Sequence, residues 1–334
     1  MKKSKLFLVS LTSIMAVLLL SGCENNMVVF NPEGPIARQI LELINFSIAL
    51  MLLVTVVVFS LFAFIVWKYR ERKENMDYEP PEEHGSTVLE IIWTVIPILI
   101  IVALTIPTVK TIYAIDEIPK GYEEKKPLVI NVTSADWKWI FSYPEQGIET
   151  VNYVNIPEDR PIDFRLTSAG TMQSFWVPAL GGQKYSMAKA ETQLYLVADN
   201  PGSYVGRNTN FNGQGYAGME FEVLSQTQED FDQWIKDVKE TAPKMTLEEY
   251  EKMLEPSHFG RKTFSNTHLE WVDHSDPDSK NYTNPEMYDR GHGWPGKIFE
   301  DKDNYKNKDA SDHENMNHKE SETEDSHGGE HSGH

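Results

Sequence analysis

Cysteine occurs once in these 334 residues, as Cys23. No internal disulfide can form, and a cysteine-rich metal site is excluded. No histidine lies between His84 and His258, so the middle of the chain offers neither thiol nor imidazole. Redox copper needs thiolate, imidazole or thioether ligands, and a domain formed there can supply only the last. Positive charge is scarce as well. Thirty-one Lys and Arg against 50 Asp and Glu leave a net charge of −19, which argues against a nucleic-acid partner, since that needs a basic face.

What is present divides into three regimes: apolar to residue 109, mixed from 110 to about 290, and acidic and polar to the end. The length has room for about two compact units. At the start, Lys2, Lys3 and Lys5 precede the apolar run Leu6 to Leu20, which is short for a membrane span. Leu20-Ser-Gly-Cys23 follows and resembles a bacterial lipobox, in which the thiol is acylated and residues 1–22 are removed as a signal peptide. The other reading of Cys23 is a buried cysteine in an uncleaved anchor helix.

After an N-terminal segment, 23–42, the 25 uncharged positions Leu43 to Trp67 would make a helix of ~37 Å, longer than the ~30 Å hydrocarbon core. Lys68, Arg70, Arg72 and Lys73 come next and mark the cytoplasmic side. A second span is expected over 88–109, so 68–87 forms a cytoplasmic loop and both ends of the mature chain lie outside the cell. Glu90, Trp93, Thr94 and Pro97 share one face of that helix. Glu90 has two readings that are compatible. It is the N3 residue of a capping box opened by Thr87, or an ionisable group on a proton path.

Residues 110–126 read as a polar linker. From Leu128 to Leu224 the chain is all-β, with strands expected at 128–133, 137–143, 150–156, 162–167, 192–198, 203–207 and 219–224 between turn-forming clusters. About seven strands in ~100 residues fit a Greek-key sandwich. The loop before the last strand, Asn208-Thr-Asn210-Phe-Asn212-Gly213-Gln-Gly-Tyr216-Ala-Gly-Met219, has the outline of a metal-binding loop, as does Gln173-Ser174-Phe175-Trp176 upstream.

Together these segments resemble subunit II of the haem–copper oxidases, whose loop reads C-x-E-x-C-G-x-x-H-x-x-M and whose other histidine opens an H-S-F-W segment. Gly213, Met219 and Ser174-Phe175-Trp176 are kept, while Gln173, Asn208, Asn210, Asn212 and Tyr216 stand at vestigial copper-site positions. Loss of ligands inside a retained frame is similar to the quinol-oxidising branch, the aa3- or bo3-type menaquinol oxidases of Gram-positive bacteria. Leu89-Glu-Ile-Ile-Trp-Thr-Val-Ile-Pro97 looks like that family's second-helix motif.

The resemblance implies a membrane-anchored α+β protein: a two-helix transmembrane hairpin followed, over 127–226, by an extracellular cupredoxin-like sandwich that lacks copper ligands. It implies Glu90 at the cytoplasmic mouth of a proton channel, and a lipid anchor on Cys23. Trp137 and Trp139 would lie towards the interface with subunit I, although each also reads as a half-buried β aromatic. No cofactor is expected on this chain, the haems and copper residing in subunit I. Partners would be subunit I, the smaller subunits III and IV, quinol as substrate of the complex, and membrane lipid. The function implied is subunit II of a respiratory quinol oxidase that reduces oxygen to water with proton pumping. A competing reading is a non-enzymatic membrane lipoprotein that binds a partner or assists copper assembly.

Beyond the sandwich, 227–299 reads as a helical extension, with one helix from Gln228 to Thr241 and another opened by the capping box Thr246-x-x-Glu249. His258, His268, His274 and His292 have no metal-ligand spacing and read as satisfied or solvated. Thr267 to Asp273 is similar to a segment of the Gram-positive relatives but suggests no chemistry. The tail 300–334 carries eleven Asp or Glu against four Lys and reads as disordered. Its histidines His313, His318, His327, His331 and His334 could bind divalent metal only weakly.

Overall fold

A computed structural model describes residues 27–70 and 85–276. Cys23, most of the loop expected at 68–87, His292 and the tail lie outside the described residues. Two long helices come first, α1 over Pro35–Tyr69 and α2 over Thr87–Ile115. From Met51 to Trp67 and from Val88 to Ile98 most of their large apolar side chains are exposed, which suits lipid and not water. Hydroxyls along them turn inward. Ser47, Thr55, Thr94, Thr105 and Thr108 each donate to the carbonyl four residues earlier at 2.7–2.8 Å, which satisfies those hydroxyls without water.

Both helices run further than hydropathy suggests. α1 begins at Pro35, inside the expected N-terminal segment, with Gly34 as N-cap. A Cβ on Gly34 would sit 2.3 Å from the Val197 carbonyl oxygen, so only glycine lets the helix start this close to the sandwich. Ile36 and Ala37 are buried there, Ala37 N–H donates to Leu180 O (3.2 Å), and Arg38 pairs with Asp199. α2 continues to Ile115 into the expected linker because Ile115 and Ile40 both pack at Gly182, while Lys184 binds Asp116 at 2.7 Å. The capping box at Thr87 and Glu90 does not form. Ser86, in extended conformation, is the N-cap without a side-chain bond, so Glu90 falls one position too late and its N–H binds Ser86 O at 3.0 Å.

The sandwich has two sheets. One orders β11-β3-β2-β1-β5-β8 and the other β4-β10-β9-β6-β7, with β1 Leu128–Ala135, β2 Lys138–Tyr143, β3 Ile148–Val151, β4 Tyr153–Pro157, β5 Ile162–Ser168, β6 Gln173–Trp176, β7 Lys184–Ser186, β8 Thr192–Leu196, β9 Gly202–Asn208, β10 Glu220–Gln226 and β11 Lys262–Phe264. β1 runs parallel to β5, and β4 to β10; the other pairs are antiparallel. The strand expected over 150–156 is two strands in different sheets. Asn152, at φ 59°, turns the chain between them, and asparagine tolerates that left-handed conformation better than most residues. β6 and β7 were not expected as strands, being too short to show alternation.

Phe175 is the hub of the core. Its ring lies 4.9 Å from Phe221, 5.2 Å from Phe164, 5.3 Å from Trp139 and 6.3 Å from Phe141. Trp139, Phe141 and Tyr143 alternate into this core, yet Lys138, Ile140 and Ser142 on the opposite face of β2 are also buried. The reason is the C-terminal extension, which lies over that face. It is not purely helical: α3 (Gln228–Thr241) and α4 (Leu247–Leu254) are followed by β11, which pairs with β3, and by a 3-10 turn at His268–Glu270. α4 is capped as expected, Thr246 Oγ1 accepting from Glu249 N–H at 3.2 Å.

Beneath the extension sits a buried polar cluster. Glu149 Oε2 accepts from Ser142 Oγ (2.7 Å), His268 Nδ1 (2.7 Å) and His268 N–H (3.1 Å). His268 Nε2 lies 3.2 Å from Thr133 Oγ1. The Tyr250 ring stacks on His268 at 4.6 Å, and its hydroxyl lies 2.6 Å from His274 Nε2. Burial first, then Glu149, raises the Tyr250 phenol well above its ordinary range. Burial first, then His268, lowers the His274 imidazole to about 4, with Asp273 opposing.

The folded chain therefore binds fewer protons than the unfolded one between pH 6.5 and about 4. Stability is intact above that window and falls by about 3 kcal/mol as pH drops through it. Thermal unfolding in detergent, followed by near-ultraviolet circular dichroism, should lose more stability on acidification in wild type than in His274→Gln; equal pH slopes would show that His274 protonates freely.

Candidate functional site

The loop between β9 and β10 closes over one end of the sandwich, against β6. Gln173 and Asn208 are buried, at 0% and 3% exposure. Gln173 Oε1 accepts from Asn212 Nδ2 (2.8 Å) and from Asn208 Nδ2 (3.4 Å). Asn208 Oδ1 takes the backbone N–H of Ser174 (2.9 Å) and of Asn210 (3.0 Å). Asn212 Nδ2 also approaches Met219 Sδ at 3.5 Å, and Met219 is 1% exposed. The structure thus brings together Gln173, Asn208, Asn212 and Met219. Asn210 sits at the margin, donating to Met172 O at 2.8 Å. Tyr216 is outside the network: its ring packs on exposed Phe211 at 5.6 Å.

Both tryptophans are buried, Trp139 at 0% and Trp137 at 5% exposure, against the half-buried reading of each. Trp139 is wholly buried between the sheets, so the half-exposed reading of it is corrected and no face remains for a partner. Trp137 occupies the two-residue connection between β1 and β2 at φ 67°, a left-handed conformation that costs a bulky residue ~1–3 kcal/mol. Its indole packs on Gly215, where a Cβ would come within 2.2 Å of the ring, and Nε1 donates to Asn212 O at 3.2 Å. The strain therefore serves to place an indole across the loop.

Three neighbours were not legible in the sequence. His258, from the extension, stacks on Trp137 at 5.7 Å and lies against Gly218; burial, then Lys138, lowers its imidazole below the ordinary value. Lys138 is wholly buried and donates to Asp136 O (2.9 Å) and Glu255 O (2.7 Å). Burial brings its ammonium down to about 8, against the attraction of Asp136 and Glu255. Asp136, raised by burial, accepts from Thr171 at 3.0 Å. Apart from the contact between Lys138 and Asp136, their partners come from sequence positions too distant for any local pattern.

Glu90 lies at the far end of α2, exposed. Its carboxylate folds back over Gly85, whose Cβ, if present, would lie 3.1 Å from Oε1.

A search of known proteins bears on this geometry. Residues 24–111 match the family model for the cytochrome c oxidase subunit II transmembrane domain. "Quinol oxidase subunit 2" of Bacillus cereus is 52% identical over 288 residues, 86% of this chain and 98% of that protein. The chain belongs to the quinol oxidase subunit 2 family. The Bacillus subtilis member is 51% identical over 269 residues, 80% of this chain and 83% of its own. Among solved structures, the periplasmic domain of subunit II of cytochrome oxidase of Bradyrhizobium japonicum covers 35% of this chain and 96% of its own length, with TM-score 0.34 and 21% identity.

Copper, which the oxidase frame implies, does not fit the donors. The loop offers amides, a phenol turned outward and a single thioether, and the Gln173 and Met219 acceptor atoms already take amide N–H groups. Soft, anionic donors that a dinuclear copper centre needs are missing. Copper added in excess and then removed by gel filtration should leave no stoichiometric metal and no charge-transfer band in the wild-type chain. Both should appear after Gln173→His, Asn208→Cys, Asn212→Cys and Tyr216→His are combined; a copper-loaded wild type would sink the assignment.

Proposed function

We propose that this chain is subunit II of a respiratory quinol oxidase, whose complex oxidises a quinol, menaquinol by the resemblance, and passes the electrons to a haem–copper centre in subunit I. The observation that carries this is the loop closed by amide hydrogen bonds where the copper-bearing branch keeps its ligands, in a chain 52% identical to a quinol oxidase subunit 2. Electrons from a membrane-soluble donor need no relay through an extracellular domain, so the frame can lose its metal without breaking the path. Haem and copper in subunit I would supply the redox chemistry and oxygen reduction. This chain supplies structure and a proton route.

The arrangement in the cell follows from the same reading. Cys23 carries lipid on the outer face of the membrane, the two helices form a hairpin with its turn in the cytoplasm, and the sandwich stands outside. Support comes from the basic run after Trp67 and from the lipobox order of charge, apolar run and small residues. Subunits I, III and IV are the protein partners, and α1 and α2 offer the exposed apolar surface on which subunit I would pack.

Glu90 is assigned to the proton entrance. It is exposed, and no side-chain cap occupies it, which removes the competing structural role. Trp137, 5% exposed beneath the loop, is assigned to closing the end of the sandwich that would face subunit I. Glu90→Gln should slow proton-coupled turnover of the purified complex while leaving its haem spectrum unchanged. Unaltered turnover and pumping in that variant would remove Glu90 from the route.

A further inference from the structure

A cleft of about 380 Å³ opens between the domain-side ends of α1 and α2. That volume lies in the range of small-molecule pockets, ~300–1,000 Å³. Its depth at the membrane is set by charge. Glu42 is the first charged residue before the apolar stretch of α1, and Lys110 the first after that of α2, and both line the cleft with Lys120 and Gln39. Phe46 and Pro107 line its lower, apolar part. One wall set is therefore polar and at the water boundary, and the other is continuous with the lipid-facing helices.

The lysines are the informative groups. Lys125, Lys126 and Lys184, at the same end of the molecule, are engaged with Asp159, Glu145 and Asp116. Lys110 and Lys120 make no ion pair or hydrogen bond among the described residues. Among the lining residues two ammonium groups that form no ion pair stand against one carboxylate, Glu42, with Glu123 acting on Lys120 from outside the cleft, so the lining itself attracts a phosphate.

We propose that this cleft binds one anionic phospholipid from the leaflet on the β-domain side. The phosphate lies between Lys110 and Lys120, Gln39 and Glu42 meet headgroup hydroxyls, and an acyl chain descends past Phe46 and Pro107. A free phosphate would use only the polar half. The inference depends on the chain spanning a membrane and holds whichever reaction the complex performs.

The test uses the full chain in its detergent-purified complex, exchanged into lipid discs of phosphatidylglycerol or of phosphatidylcholine and then stripped by detergent washing. Native mass spectrometry should find one phosphatidylglycerol retained per chain and no phosphatidylcholine. Lys110→Gln with Lys120→Gln should weaken that retention about thirty-fold, roughly five-fold per lysine, and Lys110→Arg with Lys120→Arg should restore it. Lys236→Gln with Lys239→Gln, on the exposed face of α3, should leave it unchanged. Equal retention of the two lipids, displacement by excess inorganic phosphate, or loss of a co-purifying subunit with lipid unchanged in the Gln pair would each overturn the proposal.

Discussion

Gln173 Oε1 accepting two amide N–H groups is the contact on which the end of the sandwich depends. A buried loop must satisfy its polar groups, and where a metal would tie together four or more side chains, here Gln173, Asn208 and Asn212 do so with hydrogen bonds. The substitution is unequal in energy. Structural metal sites can contribute ~10–16 kcal/mol to folding, whereas an amide hydrogen bond contributes ~0.5–1.5 kcal/mol net. Packing joins the amide contacts: Met219 is buried, Trp137 lies on Gly215, and His258 stacks on that indole.

His258 belongs to the extension, which ties the loop to the rest of the fold. The same extension covers the outer face of β1, β2 and β3, where an isolated sandwich would present polar residues to water. Thr133, Ser142 and Glu149 are polar, as an outward face should be, but each meets a partner on His268. Lys138 likewise gives its protons to carbonyls of the connection and of the extension. Most polar groups of this face find a partner in the extension, Glu149 Oε1 excepted, so the extension is an integral layer of the fold.

Much of this was readable before any coordinates. The 25 uncharged positions after Glu42, the alternation in β1, β5 and β10, and the capping box at Thr246 are local signals, and local signals survive in sequence. What failed was decided by a single backbone torsion or by a distant partner. Ser86 in place of Thr87 as N-cap depends on one backbone torsion. Val151 and Tyr153 look like one strand because the switch at Asn152 is a single left-handed residue. Nothing in β2 announces the layer that arrives over Lys138 and Ser142 from more than a hundred residues away. At the loop, the inventory of amides was legible, and the exclusion of Tyr216 from the network was not, because it turns on where one side chain points.

The loop has a second mechanical consequence, which explains why a frame without redox ligands keeps its shape. Thr209 Oγ1, within the loop, lies 2.8 Å from Ser174 Oγ, and Gln183 Oε1 is within hydrogen-bond reach of both hydroxyls, 2.9 Å from that of Ser174. Gln183 stands between Gly182, where Ile40 and Ile115 meet, and Lys184, which holds Asp116 at the end of α2. The amide network therefore fixes the segment against which both membrane helices are clamped. Opening the loop would loosen the seam between sandwich and hairpin, and with it the angle at which the domain stands over the membrane. That closure of 208–219 onto β6 is made by hydrogen bonds of this chain alone, so the seam does not depend on a metal.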